Sequence, residues 1–317
     1  MNSKLGLALA AGILGAVSLP PAFADANSDA VTLMQDNWRE AIARTATPRE
    51  GCFEAEFPNA AWVETACSVA PDKVYLPRGG IKETTGDGHD YSAQVTSGIM
   101  TSGVGSFPTV TGVTSETDGG KNVYSIQLNS NFMNTAVCSG HSNCQSWEQF
   151  VYSSSEKSAF MQYWLINYGS KCPSGWNSFQ GSCYKNSAAV TVPKQPISTL
   201  ASLKLSGTAV ANGTDTLVFT TPTKAYSTTG PDSVVLLATG WKSAEFNLVG
   251  DGGGSAAKFN TGSHVTVKLA VTNGTSNAPT CLGPTNGGTT GETNNLNLGS
   301  CSASGGATPS IQFTESN

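Results

Sequence analysis

From His264 to Val271 the chain reads His-Val-Thr-Val-Lys-Leu-Ala-Val, with an apolar side chain at every second position. A period of two predicts a β-strand with one buried face. Tyr124, Ile126 and Leu128 alternate with polar neighbours in the same way. The chain around residues 124 and 264 is therefore predicted to form half-buried strands.

The stretch Phe160–Ile166 is apolar or aromatic at almost every position, which predicts a central strand covered on both faces. Other candidate strands are separated by Gly, Asn and Pro turns and lie at 93–100, 106–113, 147–153, 188–193, 215–221, 244–249, 256–260 and 309–314. About a dozen short strands predict an all-β protein, an antiparallel β-sandwich of the jelly-roll or concanavalin-like kind over residues 89–317.

The first 24 residues have a short basic start, an apolar centre from Leu5 to Leu19, and the small-residue ending Ala22-Phe23-Ala24. This order predicts a signal peptide that is cleaved after Ala24. A membrane anchor is the alternative, although the apolar stretch is shorter than the roughly 20 residues of a spanning helix. We therefore expect a soluble protein that is secreted or periplasmic.

Residues 25–88 differ in composition from the rest of the chain. Helical spacing of apolar residues predicts a helix over Asp29–Arg44, and the turn Pro48–Gly51 ends it. The remainder is Pro-rich and carries Cys52 and Cys67. Two interpretations stay open: a small module or removable pro-segment, or an element that merely packs across the main domain.

The cysteines follow one another as close neighbours in sequence. An even number after a signal peptide predicts a disulfide framework. We expect sequential pairing: Cys52 with Cys67, Cys138 with Cys144, Cys172 with Cys183, and Cys281 with Cys301. No Cys-x-x-Cys occurs and the three histidines share no ligand spacing, so we expect no metal and no cofactor.

Charged residues make up only 12 % of the chain, with 17 basic and 22 acidic side chains and a net charge of −5. No basic patch is present, which argues against nucleic acid or an anionic membrane as a partner.

Two predicted strands place polar side chains where a covered face is expected. Period two groups Gln149 with Trp147 in one strand, and Glu245 with Asn247 in another; Gln162 is a third such group. A carboxylate can act as general base on a water molecule while an amide holds the developing oxyanion. The alternative is that Gln149 and Glu245 lie on a solvated face or satisfy each other structurally.

The order of segments over residues 91–272 resembles the eqolisins, the glutamic peptidases whose fold is a β-sandwich and whose catalytic pair is a Gln and a Glu. The resemblance rests on Gly98–Pro108, on Tyr124–Asn131, on Ala159–Gly169 and on Ala244-Glu245-Phe246, which matches the opening of the family's glutamate strand. It places Gln149 on the catalytic glutamine. It implies an acid endopeptidase acting on polypeptides.

An ungapped match puts Val249 at the family's catalytic glutamate, with Asp251 two residues further on. Glu245 is the carboxylate within the predicted strand 244–249 itself. The peptidase hypothesis therefore assigns Glu245 as general base and Gln149 as the group that polarises the scissile carbonyl.

A non-catalytic module that binds polysaccharide or another surface ligand is the second hypothesis. Aromatic side chains supply stacking surface, and neighbouring polar groups fix the orientation of a ligand. The candidates for such a surface are Trp147, Trp164, Tyr163 and Tyr124, with Gln162 and Asn247 as polar neighbours.

Overall fold

A computed structural model describes residues 22–77, 90–283 and 289–317, with side chains from residue 28 onward. Within these ranges the helical elements are α1 (Ala22–Ile42), α2 (Leu237–Gly240) and the 3₁₀ turns Ala136–Cys138, Ile197–Ser202 and Asp232–Val234. The strands are β1 (Cys52–Glu56), β2 (Val63–Thr65), β3 (Ser68–Val69), β4 (Ser92–Gln94), β5 (Ser102–Thr111), β6 (Glu116–Thr117), β7 (Ser125–Ser130), β8 (Gln145–Ser153), β9 (Ser158–Ile166), β10 (Asn177–Phe179), β11 (Ser182–Asn186), β12 (Ala188–Thr191), β13 (Lys204–Thr208), β14 (Thr214–Thr220), β15 (Lys224–Pro231), β16 (Ser243–Val249), β17 (Ala256–Phe259), β18 (His264–Thr272), β19 (Thr280–Leu282), β20 (Thr293–Asn294), β21 (Asn297–Ser304) and β22 (Ser310–Ser316).

Two antiparallel sheets make up most of the described chain. The first sheet has the order β2-β1-β15-β14-β13-β5-β18-β22-β21. The second sheet has the order β10-β11-β9-β8-β7-β16-β4-β19, and β12 pairs with both β9 and β3. The strands β20, β17 and β6 form a small third sheet. The predicted all-β sandwich is confirmed.

The interior lies between the two large sheets. Gly105 of β5 has no side chain where the ring of Phe246 from β16 sits, and an added Cβ there would lie 2.1 Å from that ring. Gly207 of β13 leaves space for the ring of Phe150 of β8 in the same way. Glycine in one sheet opposite an aromatic ring in the other therefore sets the close packing. We call this side of the second sheet its inner face.

The central-strand prediction for Phe160–Ile166 is confirmed, because all nine residues of β9 are buried and β9 pairs with β8 on one side and with β11 and β12 on the other. Other strand predictions were shifted. The strand predicted at 93–100 is shorter in the structure, where β4 covers Ser92–Gln94. The strand predicted at 106–113 begins earlier, because β5 covers Ser102–Thr111.

The segment before residue 78 contributes to both large sheets. The predicted helix is present, although α1 extends from Ala22 to Ile42. Residues 35–317 form one compact unit, in which Trp38 and Ile42 pack among apolar side chains from β1, β14 and β15. β1 pairs with β15, and β3 pairs with β12. The predicted boundary at residues 88 and 89 lies outside the described residues, as does most of the predicted signal peptide.

All four sequential disulfide bonds predicted from the sequence are present: Cys52–Cys67, Cys138–Cys144, Cys172–Cys183 and Cys281–Cys301. Four such bonds are compatible with an oxidising, extracytoplasmic compartment. None of the helices in the described ranges combines the length and the apolar character that crossing a membrane requires.

Candidate functional site

A row of polar side chains crosses the outer face of the second sheet, opposite the interior. Strand register pairs Gln162 with Gln149, Gln149 with Asn129, and Asn129 with Glu245. Because side chains alternate along a strand, these four residues lie on the same face. Gln149 and Glu245, each predicted to lie on the covered face of its own strand, are both buried.

Hydrogen bonds connect the row through its middle. Asn129 Nδ2 donates to Glu245 Oε1 at 2.9 Å and to Gln127 Oε1 at 3.2 Å. Gln149 Nε2 donates to the same Gln127 oxygen at 3.2 Å. The Thr289 hydroxyl also donates to Glu245 Oε1. Glu245 is therefore oriented by two donors, while Gln149 is held by one long bond.

Gln149 and Glu245 are not direct neighbours. One strand separates theirs, so their backbones lie about 10 Å apart, and Asn129 occupies the position between them. A water molecule or substrate atom that contacts both must lie above Asn129. Asn129 was not among the predicted site residues, although it lies in the segment Tyr124–Asn131, which resembles an eqolisin strand.

Two acceptor atoms in this row have no hydrogen-bond partner among the described residues: Gln149 Oε1 and Asn129 Oδ1. Both side chains are buried. An unpaired buried acceptor costs about 1–3 kcal/mol. The face therefore has hydrogen-bonding capacity that the described part of the chain does not use.

Gln162 binds the chain's own backbone. Its Oε1 accepts from the backbone N–H of Tyr75 at 3.0 Å, and its Nε2 donates to the carbonyl of Lys73 at 2.9 Å. The indole N–H of Trp164 also donates to Oε1 at 3.1 Å. An extended segment thus lies across this end of the row, and we call residues Pro71–Pro77 the strap.

Carboxyl groups from distant parts of the chain surround the other end of the row. Asn247, predicted as a binding residue, donates to Glu315 Oε1 at 2.7 Å. Burial raises the pKa of Glu315 to about 8. Burial, and then the nearby charges of Glu245 and Glu315, raise the pKa of Asp90. In acid, Asp90 and Glu315 are thus neutral and place no negative charge beside Glu245.

Sequence analysis missed Asp90, Glu315 and Thr289. Glu315 did carry a signal, because Ile311, Phe313 and Glu315 alternate with exposed residues in β22. A carboxyl group in that position is predicted to face the interior. No sequence pattern around Asp90 or Thr289 predicts a role in the site. Both residues lie outside the strands, and contacts between distant parts of the chain bring them to Glu245.

Asp251, the other acid near the family's glutamate position, has a different environment. Its carboxylate accepts from the Tyr75 hydroxyl at 2.9 Å, from Ser153 Oγ at 2.8 Å and from the Ser155 backbone N–H at 3.1 Å. Lys73 Nζ lies 3.4 Å away. These contacts occupy both oxygens, so Asp251 anchors the strap.

The four aromatic side chains of the predicted platform do not form an exposed surface. Trp147, Trp164, Tyr163 and Tyr124 are all 0–1 % exposed. Tyr124 and Tyr163 belong to the interior core. Trp147 and Trp164 lie on the outer face, in a cluster that Val74 of the strap also contacts. The prediction failed because aromatic residues in central strands are buried by whatever packs on each face.

A surface pocket lies near the Glu245 end of the row. An open pocket of 210 Å³ is lined by Gln94, Asn131, Lys242 and Ser243, among other residues. Ser243 lies two residues before Glu245 on the same face of β16. Nothing charged except Lys242 lines this pocket within the described residues.

Comparison with known protein families finds no match to this chain, and no curated protein is significantly similar to it.

Proposed function

We propose that the protein is an exported acid endopeptidase of the glutamic-peptidase type, made in a latent form. Glu245 is the general base, and Gln149 stabilises the oxyanion that develops on the scissile carbonyl. The signal peptide directs it to a secreted or periplasmic location, and its substrate is a polypeptide. The proposal is carried by the desolvated row of amide and carboxyl groups with two acceptors left unpartnered.

The hydrogen bonds fit these roles. Asn129 and Thr289 both donate to Glu245 Oε1, which orients the carboxyl group. Gln149 Nε2 is held only by a 3.2 Å bond to the neutral oxygen of Gln127. An oxyanion is a stronger acceptor than an amide oxygen, so Gln149 can transfer this donor to the reacting carbonyl.

Burial of the row accounts for latency. Gln149 is 0 % and Glu245 1 % exposed, so a substrate cannot reach them in this form. The strap is bonded to Gln162 at one end of the row, and Thr289 is bonded to Glu245 at the other. An activity assay must therefore include a protein in which the strap is loosened. Tyr75→Ala serves this purpose, because Tyr75 is the fully buried anchor of the strap.

The test is cleavage of denatured casein between about pH 3 and 7 by the mature protein and by Tyr75→Ala. We expect cleavage confined to acid and stronger in Tyr75→Ala. Adding Glu245→Gln should abolish it, and adding Gln149→Ala should lower kcat about 10²–10³-fold. Glu50→Gln, at an exposed position in the turn before β1, is the matched control and should cleave normally.

Two results would contradict the proposal. One is cleavage that survives Glu245→Gln. The other is the absence of cleavage at every pH by a folded Tyr75→Ala protein, which would favour a binding scaffold and call for a glycan array as the next measurement.

A further inference from the structure

The strap is held in the way that a groove holds a bound peptide. Pro71–Pro77 contains no helix or strand and lies across the outer face of the second sheet. Gln162 contacts its main chain twice, accepting from Tyr75 N and donating to Lys73 O. An amide side chain that hydrogen-bonds to an N–H and a C=O two residues apart recognises extended backbone. Such recognition does not depend on the side chains of the bound segment.

Three further backbone groups of the strap are also paired by the protein. Val74 O accepts from Gly253 N at 2.8 Å. Leu76 N donates to Glu292 Oε1 at 3.1 Å, and Leu76 O accepts from Gly291 N at 2.8 Å. The partners thus lie on both sides of the strap. A polypeptide with a different sequence could make the same backbone bonds.

Two side chains add selectivity, and Tyr75 is the first. Its ring is 0 % exposed and packs with Val151, Phe160 and Ala189. Its hydroxyl donates to Asp251 Oδ1 at 2.9 Å. Apolar walls and a carboxyl group at the end make a pocket that accepts the ring and the hydroxyl of a tyrosine. Phenylalanine would leave the carboxyl group without that donor.

Lys73 is the second selective side chain. It extends into an open groove of 690 Å³ beside the strap, where its Nζ lies 3.3 Å from Glu156 and 3.4 Å from Asp251. Phe179 also lines this groove. The surface next to the tyrosine pocket is thus complementary to a basic side chain two residues before the tyrosine.

We propose that the face under the strap is a polypeptide-binding groove, that the strap is its self-ligand, and that the groove selects extended segments with a basic residue two positions before a tyrosine. The inference rests on the proposed function only for the cleavage of the bound segment, since binding alone does not require Glu245 and Gln149 to be catalytic. The strap is tethered to the groove, so it competes with an outside peptide at a high effective concentration.

The first test uses the unmodified mature protein and native-state hydrogen exchange. A self-ligand leaves its groove by a local opening. We expect the backbone amides of Tyr75 and Leu76 to exchange about tenfold or more faster than the amides of β8 and β9. Equal protection of these amides would mean that the strap opens only with global unfolding. It would then be a fixed part of the sandwich, and the inference would be overturned.

The second test measures fluorescence polarisation of a labelled synthetic peptide with the sequence of Pro71–Pro77. The Tyr75→Ala protein should bind it, and should bind the peptide with alanine in place of its tyrosine about 100-fold more weakly. Val69→Ala, at an exposed position just before the strap, should bind as weakly as the unmodified protein. A Tyr75→Ala protein that is folded but does not distinguish the peptides overturns the inference.

Glu245→Gln added to Tyr75→Ala separates the two proposals. Peptide binding that persists while casein cleavage is lost supports both of them. Binding without cleavage in Tyr75→Ala itself supports the groove and refutes the peptidase. If Tyr75→Ala does not fold, Tyr75→Phe replaces it, and the hydrogen-exchange result on the unmodified protein still decides the matter.

Discussion

Three carboxyl groups are buried between the two sheets and make the stability of the protein depend on pH. Glu148 of β8, Asp215 of β14 and Asp232 after β15 are 0–1 % exposed. No Lys, Arg or His in the described residues forms an ion pair with them. Both oxygens of Glu148 lack an N–H donor there. The Glu148 and Asp215 carboxyl groups hydrogen-bond to each other, which requires a proton on at least one of them.

Burial, and then the charge of Asp215, raise the pKa of Glu148 well above its usual range. Burial and the charge of Asp232 raise the pKa of Asp215 to about 8. In the unfolded chain both groups ionise near pH 4. The folded state therefore binds more protons between about pH 4 and 8, and its stability falls as the pH rises through that window. Each such group contributes a slope of about 1.4 kcal/mol per pH unit.

Glu148→Gln tests this directly, because glutamine has nearly the same shape and donates an N–H to Asp215 without needing a proton. Between pH 5 and 7 the substitution should remove about 2.7 kcal/mol of the pH-dependent loss in the free energy of unfolding. At pH 7 the variant should be more stable than the unmodified protein. Glu315 and Asp90, which lie outside this pair, contribute equally to both proteins and cancel in the comparison, whereas Asp215 is freed to ionise by the new N–H donor and adds to the expected change.

The assay is urea denaturation at pH 4, 5, 6 and 7 with disulfides intact and ionic strength constant, extrapolated linearly to water. Glu50→Gln at the exposed turn is the control and should leave the slope unchanged. The reasoning is refuted if the slopes of Glu148→Gln and the unmodified protein are equal. It is also refuted if the unmodified protein gains stability from pH 5 to 7.

Two further substitutions test the packing of the second sheet. Tyr75→Phe removes the hydroxyl that donates to Asp251 and should lower the free energy of unfolding by about 2 kcal/mol; an unchanged denaturation midpoint would show that this bond contributes nothing. Gly105→Ala places a Cβ 2.1 Å from the ring of Phe246 and should cost about 3 kcal/mol. Gly103→Ala in the same strand meets its nearest atom at 3.4 Å and should cost under about 1 kcal/mol, so equal losses at the two glycines would contradict the packing argument.

The sequence predicted those parts of the fold that depend on hydrophobic patterning. β9 is apolar throughout and is buried on both faces, as expected. β13 reads Lys-Leu-Ser-Gly-Thr and β15 reads Lys-Ala-Tyr-Ser-Thr-Thr-Gly-Pro, and neither was predicted. Both are ordered by pairing with their neighbours in the first sheet. Small and polar residues can occupy such strands because the facing sheet supplies the apolar volume.

The candidate site was only partly predictable for a related reason. Period two placed Gln149 and Glu245 each on the covered face of its own strand, but it could not reveal that β7 lies between these strands. Register is a long-range property, and it inserts Asn129 between the two residues. The strap is less predictable still, because its conformation depends on contacts with Gln162, more than 80 residues away.

The residues on the two faces of β8 are best suited to acid conditions, in which the buried carboxyl groups are protonated. Glu148 points into the interior and Gln149, the next residue, points into the polar row. At neutral pH the folded protein has to keep Glu148, Asp215 and Glu315 protonated, because no Lys, Arg or His of the described ranges forms an ion pair with them. In acid the same groups are neutral hydrogen-bond donors, and they stabilise the sheet that positions Gln149. A functional assay run only at neutral pH would therefore examine the molecule where its scaffold is less stable than in acid, and a negative result there would not count against the proposed peptidase activity.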